Sequence, residues 1–442
     1  MTTGAAELGK ALAPVAGDEL KLREVVKSAC DLSLLRRDAD TQTLSIHRLV
    51  QEVVKDGMSD KQMIQWAERA VRAVNSAFPK GEFVNWPACE RLLPHARLCA
   101  EHIERYGMTF DWAALLLNQT AYYLDERALY MEAEPLLRRA LEIREKSLGP
   151  DHPHTATSLN NLAELLRAQG KLAEAGPLLR RALEILEKTL GPEHPQTAAS
   201  RNNLAGLLHA QGKLAEVEPL LRRALEISEQ SLGPDHPQTA TSLNNLAVLL
   251  RAQGKLAEAE PLYLRALEID QTAYGPHHPE VATDLNNLAL LLHAQGKFAE
   301  AEPLHRRALE IWEQSLRPDH PDTAASLNNL AGLLQAQGKL AEAEPLLRRA
   351  LEISEQSLGP EHPATAASLN NLAELLQAQG KLAEAEPLYR RALDIREKAL
   401  GPEHPHVAMV LVNLAGLLRA TKRAGEAKAL EARARAIRDK QR

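Results

Sequence analysis

The stretch GPDHPHTATSLNNLAELLRAQGKLAEA, Gly149 to Ala175, decides the fold because it returns along the chain at a fixed interval of 42 residues. Self-similarity at such a period is the signature of a solenoid, in which each unit buries its apolar face only against its neighbours. Degenerate copies around Asn118-Gln119 and Val412-Asn413 mark the two ends. The sequence therefore predicts an all-α solenoid of about eight units behind an unrelated front end.

Each unit is predicted to be a helical hairpin. Leu159, Leu162, Ala163 and Leu166 follow the i, i+3, i+4, i+7 rule, and a second amphipathic pattern starts after Gln169-Gly170-Lys171. That second helix is expected to end at Leu190-Gly191-Pro192, where glycine suits the left-handed position after a helix and proline cannot continue it.

Composition limits the classes of function. Of the 442 residues, 45% are apolar but only 3% aromatic, so the core has to be built mainly from Leu and Ala. A net charge of -6 and the lack of a basic stripe argue against a nucleic-acid partner. No apolar run reaches about 18 residues and no signal peptide opens the chain, so we expect no membrane span and a cytoplasmic location. Cys30, Cys89 and Cys99 form no CxxC, and we expect neither a metal nor a cofactor.

The string SLNNLAELLRAQGKLAEA…PLLRRALEI…LGPEHP resembles the tetratricopeptide repeat of the kinesin light chain type. The resemblance covers roughly residues 111 to 437. It implies a right-handed superhelix (an α-solenoid) whose first helices line a concave groove, and a groove of this family commonly binds extended peptides. The residues lead to the same surface, because Thr157, Asn160, Asn161, Glu164 and Arg167 form a polar stripe rotated away from the leucines.

The asparagine pairs have two interpretations. They either bond neighbouring helices, since buried polar groups must be paired, or offer donors and acceptors to the backbone of a bound peptide. The second interpretation makes both residues of each pair, and part of the column that starts at Arg167, candidates for a peptide-binding groove. The candidates are Asn160, Asn161, Arg167, Asn202, Asn203, His209, Asn244, Asn245, Arg251, Asn286, Asn287, His293, Asn328, Asn329, Asn370 and Asn371.

The groove is expected to change along its length. The Arg167 column is basic or titratable as far as His293, and the Glu164 column becomes apolar at Val248 and Leu290. An acidic or mixed acidic and apolar peptide would favour this first half, although drift in exposed columns explains the same differences.

Two other recurring features are interpreted as structural. The histidine beside proline in every unit, such as His194, cannot share one metal ion with its copies and is predicted to act in the turn. Trp312 stands in a column that otherwise holds such different residues as Arg144 and Ser228, a mixture typical of exposed positions. Trp312 is then either a contact anchor or a ring lying over a neighbouring helix. Arg201 and Arg317 replace consensus residues and suggest locally imperfect packing.

The front end follows different rules. In DLSLLRRDADTQTLSIHRLVQEVV, two short strands around a polar turn and a following helix are predicted. The segment resembles the C-terminal winged helix of the NB-ARC class of STAND nucleotide switches, many of which carry tetratricopeptide sensor arrays. Ile46-His47-Arg48 lies where that family has Met-His-Asp, so the resemblance implies a vestigial nucleotide-phosphate contact at His47. Arg48 departs from the motif, and the ATPase domain expected before this segment is missing from the chain.

No catalytic motif stands out. Gly4 to Lys10 mimics the P-loop pattern GxxxxGK but lacks the following Ser or Thr and a preceding strand. Neither GxSxG, HExxH nor a Cys/His pair is found, and we expect no enzyme activity. We expect residues 1–56 to form a partial winged helix, 57–110 a bridging helical hairpin and 111–442 the superhelix with a capping helix. The favoured function is a protein- or peptide-binding arm of a STAND signalling protein, and the alternative is a free-standing kinesin-light-chain-like adaptor.

Overall fold

The computed structural model describes residues 9–38, 43–316 and 318–439. The start of the P-loop-like stretch at Gly4, the polar turn at residues 39–42 and Arg317 lie outside the described residues. The chain divides into two compact units, Met1–Asn161 and Leu162–Arg442. Each unit is described by itself.

The first unit opens with a small mixed segment. It contains α1 (Gly9–Ala16), α2 (Glu19–Asp31), β1 (Leu35–Asp38), β2 (Thr43–Ile46) and α3 (Arg48–Asp56). The two strands pair antiparallel, with Leu35 opposite Ile46 and Asp38 opposite Thr43. The predicted pair of strands and the helix after them are therefore present.

Helices occupy the rest of the first unit. They are α4 (Asp60–Ala77), α5 (Trp86–Arg105) after a 3-10 turn at Phe83–Asn85, α6 (Asp111–Glu126), α7 (Tyr130–Ser147) and the first part of α8 (Pro153–Ala168). Ser59 and Gln62 form a capping box that starts α4. Trp86 is buried and donates from Nε1 to the Gly81 carbonyl at 3.0 Å, which fixes the turn before α5.

The second unit consists of helical hairpins in steady succession, which confirms the predicted all-α solenoid. Together with α6 to α8, the described part of the chain holds eight hairpins. The remaining helices are α9 (Leu172–Thr189), α10 (Pro195–Ala210), α11 (Leu214–Ser231), α12 (Pro237–Ala252), α13 (Leu256–Tyr274), α14 (Pro279–Ala294), α15 (Phe298–Ser315), α16 (Pro321–Ala336), α17 (Leu340–Ser357), α18 (Pro363–Ala378), α19 (Leu382–Leu400), α20 (Pro405–Ala420) and α21 (Ala424–Asp439).

The repeated histidine begins the first helices of the hairpins from α8 to α20. His194 Nδ1 accepts a hydrogen bond from the Gln196 amide at 3.2 Å, and His236 Nδ1 accepts one from Gln238 at 3.1 Å. The histidine thus satisfies one of the free donors that every helix start exposes. This confirms its predicted role in the turn.

The column that contains Trp312 is buried, so the exposure inferred from its variation is wrong, and the alternative of a ring packed against a neighbouring helix is confirmed. Trp312 is 4% exposed and packs with Val281, Ala282 and Leu285. Arg144, Ser228 and Ser354 of the same column contact the first helix of the next repeat. Ser354 and Ser368 form one such pair, with their hydroxyl oxygens 3.2 Å apart.

Arg201 is also buried. Its guanidinium donates to the Pro192 carbonyl at 2.8 Å and forms a 2.7 Å ion pair with Glu187. These bonds compensate for the burial of a charge at a position where other repeats have leucine.

Hydrogen bonds within the second unit join repeats that are far apart in sequence. His362 Nε2 lies 2.8 Å from the Ala168 carbonyl oxygen, and His404 Nε2 lies 3.0 Å from that of Ala210. Both pairs are 194 residues apart in sequence. The constant separation shows that successive repeats return to contact at a regular interval, as in a superhelix. None of the helices in the described ranges has the length and apolar character needed to span a bilayer.

Candidate functional site

A pocket of about 520 Å³ opens between α14, α16, α17 and α18 on the side where the asparagine pairs lie. We call it the groove pocket. Its lining residues are Leu290, His293, Asn328, Asn329, Gly332, Gln335, Ala336, Leu347, Asn371 and Glu374.

The pocket combines an apolar patch with polar walls. Leu290 comes from α14 and Leu347 from α17, while Asn329 and Asn371 supply amides. Gly332 leaves open space, since a Cβ atom built there has no neighbour within 4 Å. A few directional polar groups around an apolar surface are typical of a binding pocket.

Two titratable groups flank the pocket. Burial lowers the pKa of His293 and raises the pKa of Glu374. Both shifts favour the neutral form of the group. Burial therefore disfavours charge on both groups, and the apolar side chains of Leu290 and Leu347 lie in the same pocket.

The first asparagine of a pair reaches forward to the next repeat. Asn202 Nδ2 donates to Ser242 Oγ at 2.8 Å, and Asn328 Nδ2 donates to Ser368 Oγ at the same distance. Asn328 also donates to the Ala324 carbonyl at 3.0 Å. The first asparagine therefore joins neighbouring repeats through its side-chain hydrogen bonds, as the structural interpretation predicts.

The second asparagine reaches back. Asn329 Nδ2 donates to Asn286 Oδ1 at 3.1 Å, and Asn371 Nδ2 donates to Asn328 Oδ1 at 3.3 Å. Asn287 and Asn413 repeat this bond to the preceding pair. These bonds form a ladder of amides between Asn244 and Asn413, which we call the asparagine ladder.

One acceptor per step of the ladder stays open. Asn329 Oδ1 and Asn371 Oδ1 accept no hydrogen bond from the part of the chain that the structure describes. Both residues line the groove pocket. The second asparagine thus joins the repeats through Nδ2 while its oxygen remains available to a ligand.

The other predicted groove residues are distributed unevenly. His293, Asn328, Asn329 and Asn371 meet in the groove pocket, whereas His209 lines a different cavity. Arg167 forms a 2.8 Å ion pair with Glu164 on its own helix. Asn160 and Asn161 belong to the first unit. The buried first asparagines Asn202, Asn286 and Asn370 are 2–8% exposed.

Sequence reasoning did not single out Gly332 or Leu347 as site residues. Gly332 appears in the column that starts at Glu164, and the absence of a side chain there is the signal for an open space. Leu347 comes from a second helix, in a column that also holds His305. His305 Nδ1 lies 3.1 Å from Asn286 Oδ1, and burial lowers the pKa of His305 to about 4. The ladder therefore receives support from second helices as well.

A pair of buried carboxyl groups lies behind the ladder. Asp270 and Asp284 occupy the positions that hold Ser228 and Ser242 one repeat earlier, and Asn244 Nδ2 donates to Asp284 Oδ1 at 2.9 Å. Burial, with repulsion from the neighbouring acids, raises the pKa of Asp270 to about 7 and that of Asp284 to about 9. Two such carboxyls cannot both ionise, so the pair retains a proton at neutral pH.

His47 caps α3 in the first unit. Its Nδ1 accepts a hydrogen bond from the Leu49 amide at 3.2 Å, and the residue is exposed. The side chain therefore has a structural role whether or not a phosphate is bound near it.

Family models match both parts of the sequence. The model described as tetratricopeptide repeat matches residues 113–188, 158–230, 204–272, 243–314, 285–356, 322–398 and 365–440. Residues 4–63 match a domain of unknown function, DUF7779.

One curated relative shares part of the sequence. It is a nucleotide-binding leucine-rich repeat (NLR)-like protein from Hyaloscypha variabilis, 38% identical over 121 residues. The aligned segment is 27% of this chain and spans only 12% of that relative's length.

Solved structures add likeness in fold. A Rap protein complexed with competence and sporulation factor is 14% identical, covers 86% of this chain over 99% of its own length and has a TM-score of 0.60. The nearly identical TPR-like repeats of a Podosopora anserina protein assigned as a kinesin light chain are 32% identical. They cover 47% of this chain over 98% of their own length, with a TM-score of 0.38.

Proposed function

Because this chain belongs to the tetratricopeptide repeat family, we propose that it is a protein-interaction scaffold whose groove pocket and asparagine ladder bind an extended peptide segment of a partner. The observation that carries the proposal is the pair of open acceptors, Asn329 Oδ1 and Asn371 Oδ1, beside the apolar side chains of Leu290 and Leu347.

The chemistry of the pocket suggests how a peptide would bind. An extended peptide presents backbone N–H groups that need acceptors, and its side chains alternate between two faces. The asparagine oxygens would accept from the backbone whatever the sequence, while an apolar side chain packs on Leu290 and Leu347. Sequence preference would then come from the apolar side chain and from the neighbouring charges.

The earlier repeats would add a preference for acidic ligands. Arg251 follows Arg167 in the same column two repeats later, ahead of the groove pocket. An acidic residue in the ligand would meet positive charge there, which affects association rate and specificity more than affinity. We propose a ligand with an acidic portion followed along the groove by an apolar residue.

We also propose that this array is the ligand-binding arm of a STAND-type signalling protein. The support is the short match to an NLR-like protein, together with the front-end resemblance around His47. In such a protein an ATPase domain would supply the nucleotide site. His47 would then contact the nucleotide phosphate in addition to capping α3.

The proposed binding site is tested by filling the groove pocket with a larger side chain. We suggest selecting ligands from a random peptide library displayed on phage and titrating the hits against the wild type and Gly332→Glu. The variant fills open space with the residue that Glu374 already provides one repeat later, so folding should be retained. Gly425→Glu, also into open space, is the matched control at a residue outside the groove pocket.

We expect Gly332→Glu to weaken binding by about tenfold or more and Gly425→Glu to leave it unchanged. Hits that bind both variants as tightly as the wild type would exclude the groove pocket as the site. The signalling role is tested separately, by asking whether purified NB-ARC-type ATPases encoded near this chain bind it. Binding to the first unit supports the arm, and failure of every candidate favours the free-standing adaptor.

A further inference from the structure

A second cavity, of about 690 Å³, lies in the second unit where the last hairpin returns to an earlier one. We call it the inter-turn pocket. Basic and titratable side chains dominate its lining, namely His209, Lys213, His404, His406 and Arg438. Glu216 is the acidic residue among its described lining residues, and it is exposed.

Lys213 lacks the ion pair that its counterparts form. Lys339 lies 3.0 Å from Glu302, and Lys381 lies 2.8 Å from Glu344, each pair joining one repeat to the one before it. Lys255 is paired with Glu218 in the same way, at 3.5 Å. Among the described residues, Lys213 has no ion-pair partner.

The reason is a single departure from the repeat. Gly176 stands at the position that holds Glu218, Glu260 and Glu302 in the following repeats. The carboxylate that would pair with Lys213 is therefore absent, and the ammonium group remains available at the edge of the inter-turn pocket. The Gly176 backbone does not require glycine, because a Cβ atom there would meet its nearest neighbours at 3.5–3.9 Å.

The pocket concentrates like charge. Desolvation, reinforced by the positive charges of Arg396, His404 and His209, lowers the pKa of His406 to about 4. Burial and the charge of Arg251 lower the pKa of His209. Like charges gathered around a cavity repel one another, and an anion inside would relieve that repulsion.

From this arrangement we propose that the inter-turn pocket binds a multivalent phosphate-type anion, with Lys213 and Arg438 as its fixed positive charges. This function goes beyond the groove and is independent of peptide binding there. The cavity volume is in the range of small-molecule sites and is large for a single inorganic phosphate. The phosphate groups belong either to a free small molecule or to a phosphorylated side chain of a partner protein.

The site also couples anion binding to proton uptake. An anion stabilises the charged imidazolium of His209 and His406, which the empty pocket disfavours. The other charged groups facing these rings are Arg396, Arg251, Lys213, Arg438 and the opposing Glu216. Affinity should therefore increase as the pH falls through the range in which these two rings take up protons, a range that a bound anion shifts upward from the lowered pKa values of the empty pocket.

Gly176→Glu provides the sharpest test. It restores the glutamate of the other repeats, so it should pair with Lys213 and place a negative charge beside the pocket. Calorimetric titration with inorganic pyrophosphate should show binding to the wild type that weakens with added salt, and about tenfold weaker binding to Gly176→Glu and Lys213→Gln. Gly176→Ala and Lys255→Gln, the matched controls, should bind as the wild type does, and Glu216→Gln should bind more tightly.

Two further titrations separate the sources of the phosphate. If pyrophosphate binds and a phosphoserine peptide binds no better than its unmodified form, the ligand is a small phosphate compound. A preference for the phosphopeptide that Gly176→Glu abolishes points to a phosphorylated partner. The proposal is overturned if the folded wild type binds neither probe, or if Gly176→Glu and Lys213→Gln bind as tightly as the wild type.

Discussion

His362 donates from Nε2 to the carbonyl oxygen of Ala168, 2.8 Å away, although 194 residues separate the two in sequence. The tautomer follows from the other nitrogen, because Nδ1 accepts from the Ala364 amide at 3.1 Å and the proton must therefore be on Nε2. One neutral imidazole thus starts α18 and also ties it to the end of α8. His404 and Ala210 repeat the arrangement one hairpin later.

Comparing His362→Gln with His236→Gln separates the two roles of His362, the cap of α18 and the hydrogen bond to Ala168. His236 caps α12 in the same way and is exposed, so its replacement should cost about 0.5–2 kcal/mol, the range for a lost N-cap. His362→Gln should cost more, because the bond to Ala168 is lost as well. Chemical unfolding of both variants measures the difference, and equal losses would mean that the long-range bond contributes nothing to stability.

The pH dependence at His362 has a definite sign. Burial lowers the pKa of His362 in the folded protein, so between this value and the ordinary one near 6.5 the unfolded chain binds more protons. The stability contributed by neutral His362 is present above about pH 6.5 and is lost as the pH falls through the folded pKa. The wild type should therefore lose more stability than His362→Gln between about pH 7 and pH 5. Parallel losses in the two proteins would contradict this assignment.

Gly170 makes the same contact possible. A Cβ atom at Gly170 would lie 2.9 Å from Pro363 Cδ and 3.0 Å from Cγ, whereas one at Gly254 would meet nothing within 4 Å. Both glycines have nearly the same positive φ, 76° and 78°. Gly254→Ala should thus cost about 1–2 kcal/mol for the left-handed backbone alone, and Gly170→Ala should cost more and loosen the superhelix. Small-angle scattering should detect a larger radius of gyration only for Gly170→Ala. An unchanged radius would show that the close approach of Gly170 to Pro363 does not hold the turns of the superhelix together.

The sequence predicted the hairpins well because helix starts, glycine turns and apolar periodicity are local signals that every repeat contains. It did not predict which asparagine of a pair bonds to the following repeat and which bonds to the preceding one. Asn328 and Asn329 are neighbours with the same chemistry, and only the rotation between stacked repeats turns one toward Ser368 and the other toward Asn286.

The error at Trp312 has a related cause. Variation within one column was interpreted as exposure, although Asp270 varies together with Asp284, its partner in the next helix. The inter-turn pocket could not be predicted from the sequence for a further reason. Gly176 is visible in the sequence, but the approach of His404 to Ala210 depends on small rotations summed over several repeats.

The Asp270 and Asp284 pair predicts an unusual pH dependence. Because both pKa values are raised above those of the unfolded chain, the folded protein binds more protons and its free energy of unfolding decreases as the pH rises from about 4 to about 9. Replacing both with Ser recreates the Ser228 and Ser242 pair, whose oxygens are 3.2 Å apart. The double variant should gain on the order of 2 kcal/mol more over the wild type at about pH 8.5 than at about pH 5. Urea unfolding at both pH values measures this gain, and a gain that does not change with pH would show that the carboxyls ionise independently of the fold.

The asparagine ladder predicts opposite outcomes for neighbouring residues. Asn328→Ala removes donations to Ser368 and Ala324 and an acceptor for Asn371, so it should destabilise the fold by about 1–3 kcal/mol. Asn329→Ala removes one bond, to Asn286, and should cost about 0.5–1.5 kcal/mol. For a peptide selected on the groove, however, Asn329→Ala should produce the specific loss of affinity, because its Oδ1 is open in the groove pocket.

Thermal unfolding ranks the two stabilities, and titration of the selected peptide at a temperature where both variants are folded ranks the affinities. Asn287→Ala is the matched control for Asn329→Ala. Asn287 donates the equivalent bond, to Asn244 Oδ1 at 3.1 Å, but it does not line the groove pocket. If Asn287→Ala weakens peptide binding as much as Asn329→Ala, the loss of affinity comes from the broken bond between repeats and not from a direct contact of Asn329 with the peptide. If neither does, both asparagines of each pair serve only to join the repeats.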